Sequence, residues 1–321
     1  MRALRFAAVA AAIVAILSPF FACIAHSESK GGGERSSGHI QYFAYWDDAD
    51  NRSYNALPEV YQETNLAWIA EQRPGNLDPI IDYHIDMLIL SQLLGMNASL
   101  SLGYVFFQPG AVLYNNWRQR WTQYANEVEP YTSNVVDIYP FDEPYESAFV
   151  NHLALSEMQR ELGEVCAAIR SRFPNVRLAC VCQPFTIQRR LDLTMFDWVG
   201  FDAYEDPFDP KGVPTHEQWL TMLEEQLDVP ASGRRTLVLP YACVLNGAPL
   251  DPYNSSDPTV ADRVAQAGDY LALAERHPSV IGIVPFLYNS QPGLFGLDKM
   301  PPVHAAYQQM GREIIANKGT N

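Results

Sequence analysis

Two adjacent acids, Asp142 and Glu143, are the residues of this chain whose types and position best suit chemistry. They follow an apolar run, residues 134–138, that is typical of a short buried strand, and Pro144 comes directly after them. Neighbouring carboxylates repel each other and nearby aromatic rings exclude water, and both effects raise the pKa of a carboxylic acid. An acid that keeps its proton near neutral pH can serve as a general acid. The alternative explanation is structural: Asp142 caps the next helix, with Pro144 in its first turn, and the two roles can coexist.

The segments around this pair alternate between strand-like and helical patterns. Amphipathic stretches with the helical period, such as residues 151–172, separate the strand-like runs. The eight predicted strands are residues 40–46, 64–70, 98–107, 135–141, 177–182, 198–204, 236–242 and 280–288. Alternating strands and helices predict a parallel sheet. Eight such units in a chain of 321 residues predict a single-domain (β/α)8 TIM barrel, for which about 250 residues is typical.

A doubly wound open sheet is the alternative architecture for this pattern. Such a sheet normally carries a glycine-rich phosphate loop after its first strand. Here residues 42–48 contain no glycine. The sequence therefore favours the barrel and disfavours nucleotide binding.

The predicted strand ends carry aromatic, amide and acidic side chains without lysine, and the carboxyl ends of the strands are where a barrel places its chemistry. Asp202, at the end of strand six, is a candidate base. Aromatic faces stack on sugar rings, and amides and carboxylates hydrogen-bond to hydroxyl groups. A carbohydrate is therefore the predicted ligand, although each aromatic taken alone is equally well explained as loop packing. The predicted substrate contacts are Tyr45, Trp46, Gln183, Tyr204, Tyr241, Tyr288 and Asn289.

The acids at strand four also carry a resemblance. The layout resembles the TIM-barrel glycoside hydrolases in its Phe-Asp-Glu-Pro segment (141–144), in residues 202–204 and in residues 293–302. The adjacent Asp-Glu pair looks most like the substrate-assisted N-acetylhexosaminidase type. This resemblance implies hydrolysis of a glycosidic bond in a polysaccharide or glycoconjugate, with Glu143 protonating the leaving oxygen and Asp142 orienting an N-acetyl group.

The predicted seventh strand departs from the commonest retaining group of those enzymes, which place a nucleophilic glutamate at its end. Residues 238–243 read Val-Leu-Pro-Tyr-Ala-Cys and contain no acid. A displacement by two carboxylates about 5–5.5 Å apart therefore lacks its second member. Three explanations stay open: the substrate supplies the nucleophile, Asp202 acts as base in an inverting reaction, or the barrel is a noncatalytic carbohydrate-binding protein.

The amino terminus has the pattern of a secretory signal peptide, predicted over residues 1–25. Two arginines precede an apolar segment, residues 6–21, that is shorter than the ~20 residues of a membrane span. A flexible tether (26–38) and the catalytic barrel (39–317) follow. The prediction is a secreted or periplasmic protein, with a lipid anchor at Cys23 as the alternative. The net charge of −15 makes nucleic acid an unlikely partner.

The remaining cysteines do not define a metal site. Cys180 and Cys182 lie two apart in a predicted strand and so point the same way, which disfavours a bond between them. Cys166 or Cys243 could pair with one of them in an oxidising compartment, and buried free thiols are the alternative. Neither a CxxC nor an HExxH spacing occurs, so neither a metal nor an organic cofactor is predicted.

Overall fold

The structure is a computed structural model that describes residues 39–46, 60, 63–70, 74–202, 214–245, 251–288, 290 and 294–317. Eight strands form one parallel sheet that is nearly closed into a barrel. They are β1 (Tyr42–Phe43), β2 (Leu66–Ile69), β3 (Asn97–Ser101), β4 (Val135–Tyr139), β5 (Arg177–Cys182), β6 (Trp198–Phe201), β7 (Arg235–Val238) and β8 (Val280–Ile283). Their order in the sheet is β1-β8-β7-β6-β5-β4-β3-β2. Each predicted strand overlaps one of them, with β3 and β7 beginning one residue earlier than predicted. The predicted (β/α)8 TIM barrel is confirmed.

The gap between β1 and β2 is bridged by one asparagine. The backbone N–H of Asn65 donates to the Phe43 carbonyl at 3.1 Å. The Asn65 side chain accepts from the Phe43 N–H at 2.9 Å and donates to the Gln41 carbonyl at 2.8 Å. Unpaired backbone groups in a strand are costly to bury. These three hydrogen bonds supply partners for backbone groups that no strand-to-strand pairing satisfies between β1 and β2.

Helices cover the outside of the sheet. They are α1 (Leu77–Leu93), α2 (Gly103–Phe106), α3 (Trp117–Val128), α4 (Pro144–Val150), α5 (Leu155–Arg172), α6 (Pro184–Gln188), α7 (His216–Leu227), α8 (Val229–Ser232), α9 (Pro258–Arg276) and α10 (Pro301–Asn317), with 3-10 turns at Glu129–Tyr131 and Leu297–Lys299. Side-chain caps fix several of the starts. Thr215 and Gln218 form a capping box on α7, and Asp257 accepts two backbone N–H groups at the start of α9.

The third strand is shorter than predicted. It ends at Ser101, and the chain then forms helix α2 and a short hairpin of Phe107–Gln108 with Val112–Leu113. Val105, Phe106 and Phe107 are all fully buried. A run that is apolar on every side has no periodicity, so its sequence does not distinguish a strand from a buried helical turn.

The barrel interior and the layer under the helices are separate parts of the core. Tyr42, Trp46, Trp68, Tyr139 and Trp198 pack together inside the barrel, while two larger clusters fill the space between sheet and helices. No helix in the described ranges is long and apolar enough to cross a membrane. The predicted signal peptide, the tether and Cys23 lie outside the described residues.

Candidate active site

A cleft of about 280 Å³ opens at the carboxyl ends of the strands. Trp46, Tyr139 and Asp142 line it together with Ser101, Tyr104 and Gln108, among others. Two of the predicted site residues, Trp46 and Asp142, therefore share one cleft.

Asp142 follows β4 and continues it by a single parallel bridge to Val181 of β5. The Tyr139 hydroxyl donates a short hydrogen bond to Oδ1, and Oδ2 has no hydrogen-bond partner among the described residues. The surrounding cleft walls and the charge of Glu143 raise the pKa of Asp142 to about 7, while the hydrogen bond from Tyr139 acts in the opposite direction. The residue nevertheless remains exposed at the cleft.

Glu143 adopts the left-handed backbone conformation, with φ 41° and ψ 57°. This conformation is uncommon for a residue with a side chain, and such strain is often found at functional sites. Glu143 occupies the N-cap position of α4, where Pro144 is the first residue, and no side chain caps this helix. The alternative role of Asp142 as a helix cap is therefore wrong.

The Glu143 carboxyl is oriented by Gln183, the residue that follows β5. Gln183 Nε2 donates to Oε1 at 2.7 Å, and Oε2 makes no hydrogen bond to the described residues. In a neutral carboxylic acid the carbonyl oxygen is the better acceptor, so this contact favours the proton on Oε2. Gln183, predicted as a substrate contact, thus contacts the predicted acid itself.

A third acid, Glu146, fixes this arrangement and was not assigned a role from the sequence. Its Oε1 accepts from the Gln183 N–H at 3.1 Å, the Thr186 N–H at 3.1 Å and the Thr186 hydroxyl at 2.7 Å. The side chain is buried, and burial raises its pKa. Glu146 lies three residues after Glu143, which places both on one face of a helical turn. That spacing was the available signal.

Asp202 follows β6 and is 2% exposed. Burial is the main cause that raises the pKa of the Cys182 thiol at the end of β5. The charges of Glu146, Asp202 and Glu143 raise this pKa further. The three acids therefore approach the same thiol. Cys166, Cys180, Cys182 and Cys243 are all free and buried, in agreement with the buried-thiol alternative.

Of the remaining predicted substrate contacts, the structure describes Tyr45, Trp46, Tyr241 and Tyr288. The Trp46 ring lies 4.7 Å from Trp68 and 6.1 Å from Tyr139, between centroids, inside the barrel and at the cleft. Tyr241 is half-buried after β7, with the Arg263 guanidinium 5.4 Å from its ring centroid, and burial raises its pKa to about 12. Tyr204 and Asn289 lie outside the described residues.

Tyr45 and Tyr288 require a correction. They are 0% and 2% exposed, their ring centroids lie 5.2 Å apart, and both pack against His304 of α10. Because Trp46 faces the barrel interior, its neighbour Tyr45 faces the helix layer. The structure therefore does not support these two tyrosines as substrate contacts.

The site offers no obvious place for a metal ion. Within the described ranges, no group of three or more histidine, cysteine, aspartate or glutamate side chains is arranged to hold one. The chemistry available at the cleft is that of carboxyl groups, an amide and aromatic rings.

Comparison with known proteins supports the fold alone. No family model matches the sequence, and no curated protein matches it. Among solved structures, xylanase 10B from Thermotoga petrophila RKU-1 in complex with xylobiose superposes with a TM-score of 0.55 at 11% identity, covering 90% of this chain and 100% of the xylanase. A β-glucosidase from Thermotoga maritima gives 0.56 at 11% identity, covering 85% and 88%. A GH113 β-mannanase from Alicyclobacillus acidocaldarius gives 0.52 at 13% identity, covering 87% and 97%. The chain thus has a fold found in TIM-barrel glycoside hydrolases.

Proposed function

We propose that this protein is a secreted glycoside hydrolase that cleaves O-glycosidic bonds of a polysaccharide or glycoconjugate. The observation that carries the proposal is the geometry of Asp142 and Glu143. Each carboxyl has one oxygen held by a neighbouring side chain and one without a hydrogen bond to the described residues. Positioned carboxyl groups with one open oxygen are suited to proton transfer and to charge stabilisation.

Glu143 is the proposed general acid. Its Oε2–H protonates the glycosidic oxygen as the bond from that oxygen to the anomeric carbon breaks, and the leaving alcohol departs neutral. The carboxylate that remains then accepts a proton from the water that completes hydrolysis. Gln183 holds Oε1 through both steps.

Asp142 is proposed to assist the substrate. In this version the oxygen of a substrate N-acetyl group attacks the anomeric carbon, and the Asp142 carboxylate orients that group and stabilises the positive charge that develops on it. Water then attacks the same carbon, so the configuration is retained. This version needs no acid at the end of β7, and it uses an aspartate that is open to the cleft.

The alternative mechanism makes Asp202 the base of an inverting reaction. Asp202 is only 2% exposed, and a base for water must be reached by water. The substrate-assisted version is therefore preferred, and the configuration of the product distinguishes the two.

A noncatalytic carbohydrate-binding barrel is the second candidate function, and the absence of an acid from residues 235–245 favours it. It predicts glycan affinity without turnover. A double variant, Asp142→Asn with Glu143→Gln, would retain that affinity in a binding protein, and no hydrolysis would be seen before or after the change.

Hydrolysis of natural glycans, with and without N-acetyl groups, is the test. We expect Glu143→Gln to lower kcat/KM by about 10²–10⁴-fold on an unactivated glycoside, because that is the contribution of a general acid. The loss should shrink on an aryl glycoside whose leaving group needs no proton. Glu157→Gln, an exposed change on α5, is the matched control. Undiminished hydrolysis of a natural glycan by Glu143→Gln would end the assignment.

A further inference from the structure

A second pocket, of about 400 Å³, opens at the amino ends of the strands, on the face opposite the cleft. Its lining includes Tyr42, Arg177, Trp198, Ser232 and Arg235. The volume falls within the range of about 300–1,000 Å³ that is usual for small-molecule sites. The proposed function does not use this pocket.

Two arginines point into it from the first residues of their strands. Side chains two apart in a strand share a face, and Ala179 of β5 and Leu237 of β7 belong to the barrel interior. Arg177 and Arg235 therefore face the barrel axis at its amino end. Both are exposed, and neither guanidinium has an ion pair or a hydrogen bond to any described residue.

The acids nearby are already engaged. Asp197, which also lines the pocket, pairs with Arg170 at 3.1 Å and accepts from the Leu178 N–H at 2.9 Å. Asp137, the register partner of Arg177, is fully buried and accepts from the Ser99 hydroxyl at 2.5 Å. The pocket is therefore locally positive in a chain of net charge −15.

The walls of the pocket are fixed by hydrogen bonds. Arg234 donates to the carbonyls of Thr194 at 2.8 Å and Phe196 at 3.1 Å, and its own N–H donates to the Ser232 hydroxyl at 3.2 Å. Tyr42 and Trp198 form the floor, with ring centroids 5.3 Å apart. A site built in this way needs little reorganisation when a ligand enters.

We propose that this pocket binds a small oxyanion, a carboxylate, sulfate or phosphate group, between Arg177 and Arg235. Guanidinium groups match planar and tetrahedral oxyanions through paired N–H donors. The aromatic floor suits an anion carried on a sugar ring, and the arginines alone suit a free inorganic anion. The site is independent of the proposed hydrolase activity.

Isothermal titration calorimetry on the full chain tests the proposal, with inorganic sulfate, inorganic phosphate, glucuronate and neutral glucose as probes. We expect saturable binding of at least one anion, with an affinity that falls as salt rises. Any binding of glucose at the cleft should be independent of salt and of the changes Arg177→Gln and Arg235→Gln. Glucuronate binding more tightly than both inorganic ions would identify an anionic sugar as the ligand, and the reverse order a free anion.

Arg177→Gln and Arg235→Gln should each weaken anion binding by about 10-fold or more, because charge-assisted hydrogen bonds are lost. Arg190→Gln removes the same charge from an exposed position outside the pocket and serves as the control. Circular dichroism and unfolding curves confirm that each variant is folded. Absence of saturable binding by the wild-type chain, or equal binding by a variant that combines Arg177→Gln with Arg235→Gln, would overturn the proposal.

Discussion

Asp137 and Asp142 lie five positions apart on one stretch of chain, yet they occupy opposite kinds of surroundings. The pKa of each is raised to about 7, and the first cause in both cases is loss of water. Asp137 is 0% exposed inside the barrel and is hydrogen-bonded to Ser99. Asp142 opens onto a cleft, beside a second acid.

This comparison shows that a raised pKa does not by itself identify a catalytic acid. Buried structural groups and active-site groups are shifted by the same physics. Two features separate the aspartates: Asp142 opens onto a cleft and has a second acid, Glu143, beside it, whereas Asp137 has neither. Changes at the mouth of the barrel should therefore alter activity, and changes in its interior should alter stability.

The largest expected effect is at the mouth. Asp142→Asn should lower kcat/KM by about 10²-fold or more on a glycan with an N-acetyl group, because it removes the charge that stabilises the transition state. A glycan without that group should react poorly even with the native enzyme. Activity and product configuration, followed by NMR, are the measurements.

Asp137→Asn is the matched control, since it makes the same chemical change five residues earlier, within β4. Near-native activity is expected from it. If Asp202→Asn is instead as damaging as Glu143→Gln, and the product has inverted configuration, the substrate-assisted version is wrong.

Two smaller changes should move the pH profile in opposite directions. The proposed mechanism needs Asp142 as a carboxylate, so activity should fall at low pH when Asp142 takes up a proton. Tyr139→Phe removes a hydrogen bond that lowers the pKa of Asp142, so this acidic limb should move up by about one pH unit. Glu146→Gln removes a charge that raises the pKa of Asp142, so the acidic limb should move down.

The profile of kcat/KM against pH gives both results, and the retained amide acceptor in Glu146→Gln preserves its contact with Thr186. Shifts of the same sign in the two variants would contradict the assignment of the acidic limb to Asp142.

The interior aspartate should affect stability alone. The pKa of Asp137 is about 7 in the folded chain and about 3.9 when unfolded. The folded form therefore binds this proton more tightly than the unfolded form does. The stability that follows from this difference is fully present below about pH 4 and is lost as the pH rises through 7. Asp137→Asn should remove this dependence, which is worth up to about 4 kcal/mol at about 1.36 kcal/mol per pKa unit. Urea unfolding at pH 5 and pH 8 measures the part that is lost between pH 5 and pH 7, about 3 kcal/mol. Equal pH dependence in variant and wild type would show that Asp137 is not the titrating group.

Much of the fold follows from local patterns. The strands within residues 135–141 and 177–182 were predicted from short apolar runs. The helix ending at Arg172 stops before Phe173-Pro174, where proline disfavours continuation. The end of the third strand was missed, because the fully buried residues that follow Ser101 carry no periodicity.

Only part of the site could be predicted from the sequence. Alternation along a strand fixes which face a side chain occupies only when the register is known. Trp46 and Asp142 lie at the cleft as predicted. Tyr45 differs from Trp46 by one position, which is enough to place it under the helices. The contacts of Glu143 with Gln183 and of Glu146 with Thr186 join separate elements, and no local pattern in the sequence encodes them.

The smallest expected effect is at Tyr288, which the sequence placed at the site and the structure buries beside Tyr45 and His304. Tyr288→Phe should leave kcat and KM within about two-fold, because its ring does not reach the cleft. A hydrogen bond made by a buried hydroxyl group contributes about 1 kcal/mol to the free energy of unfolding, so any loss should be in stability. Trp46→Phe is the contrast: it reduces a ring surface that lines the cleft, and it should raise KM several-fold through weaker stacking on the sugar. Steady-state kinetics and thermal unfolding of both variants decide the point. A KM effect at Tyr288 as large as at Trp46 would mean that the substrate reaches the layer between sheet and helices.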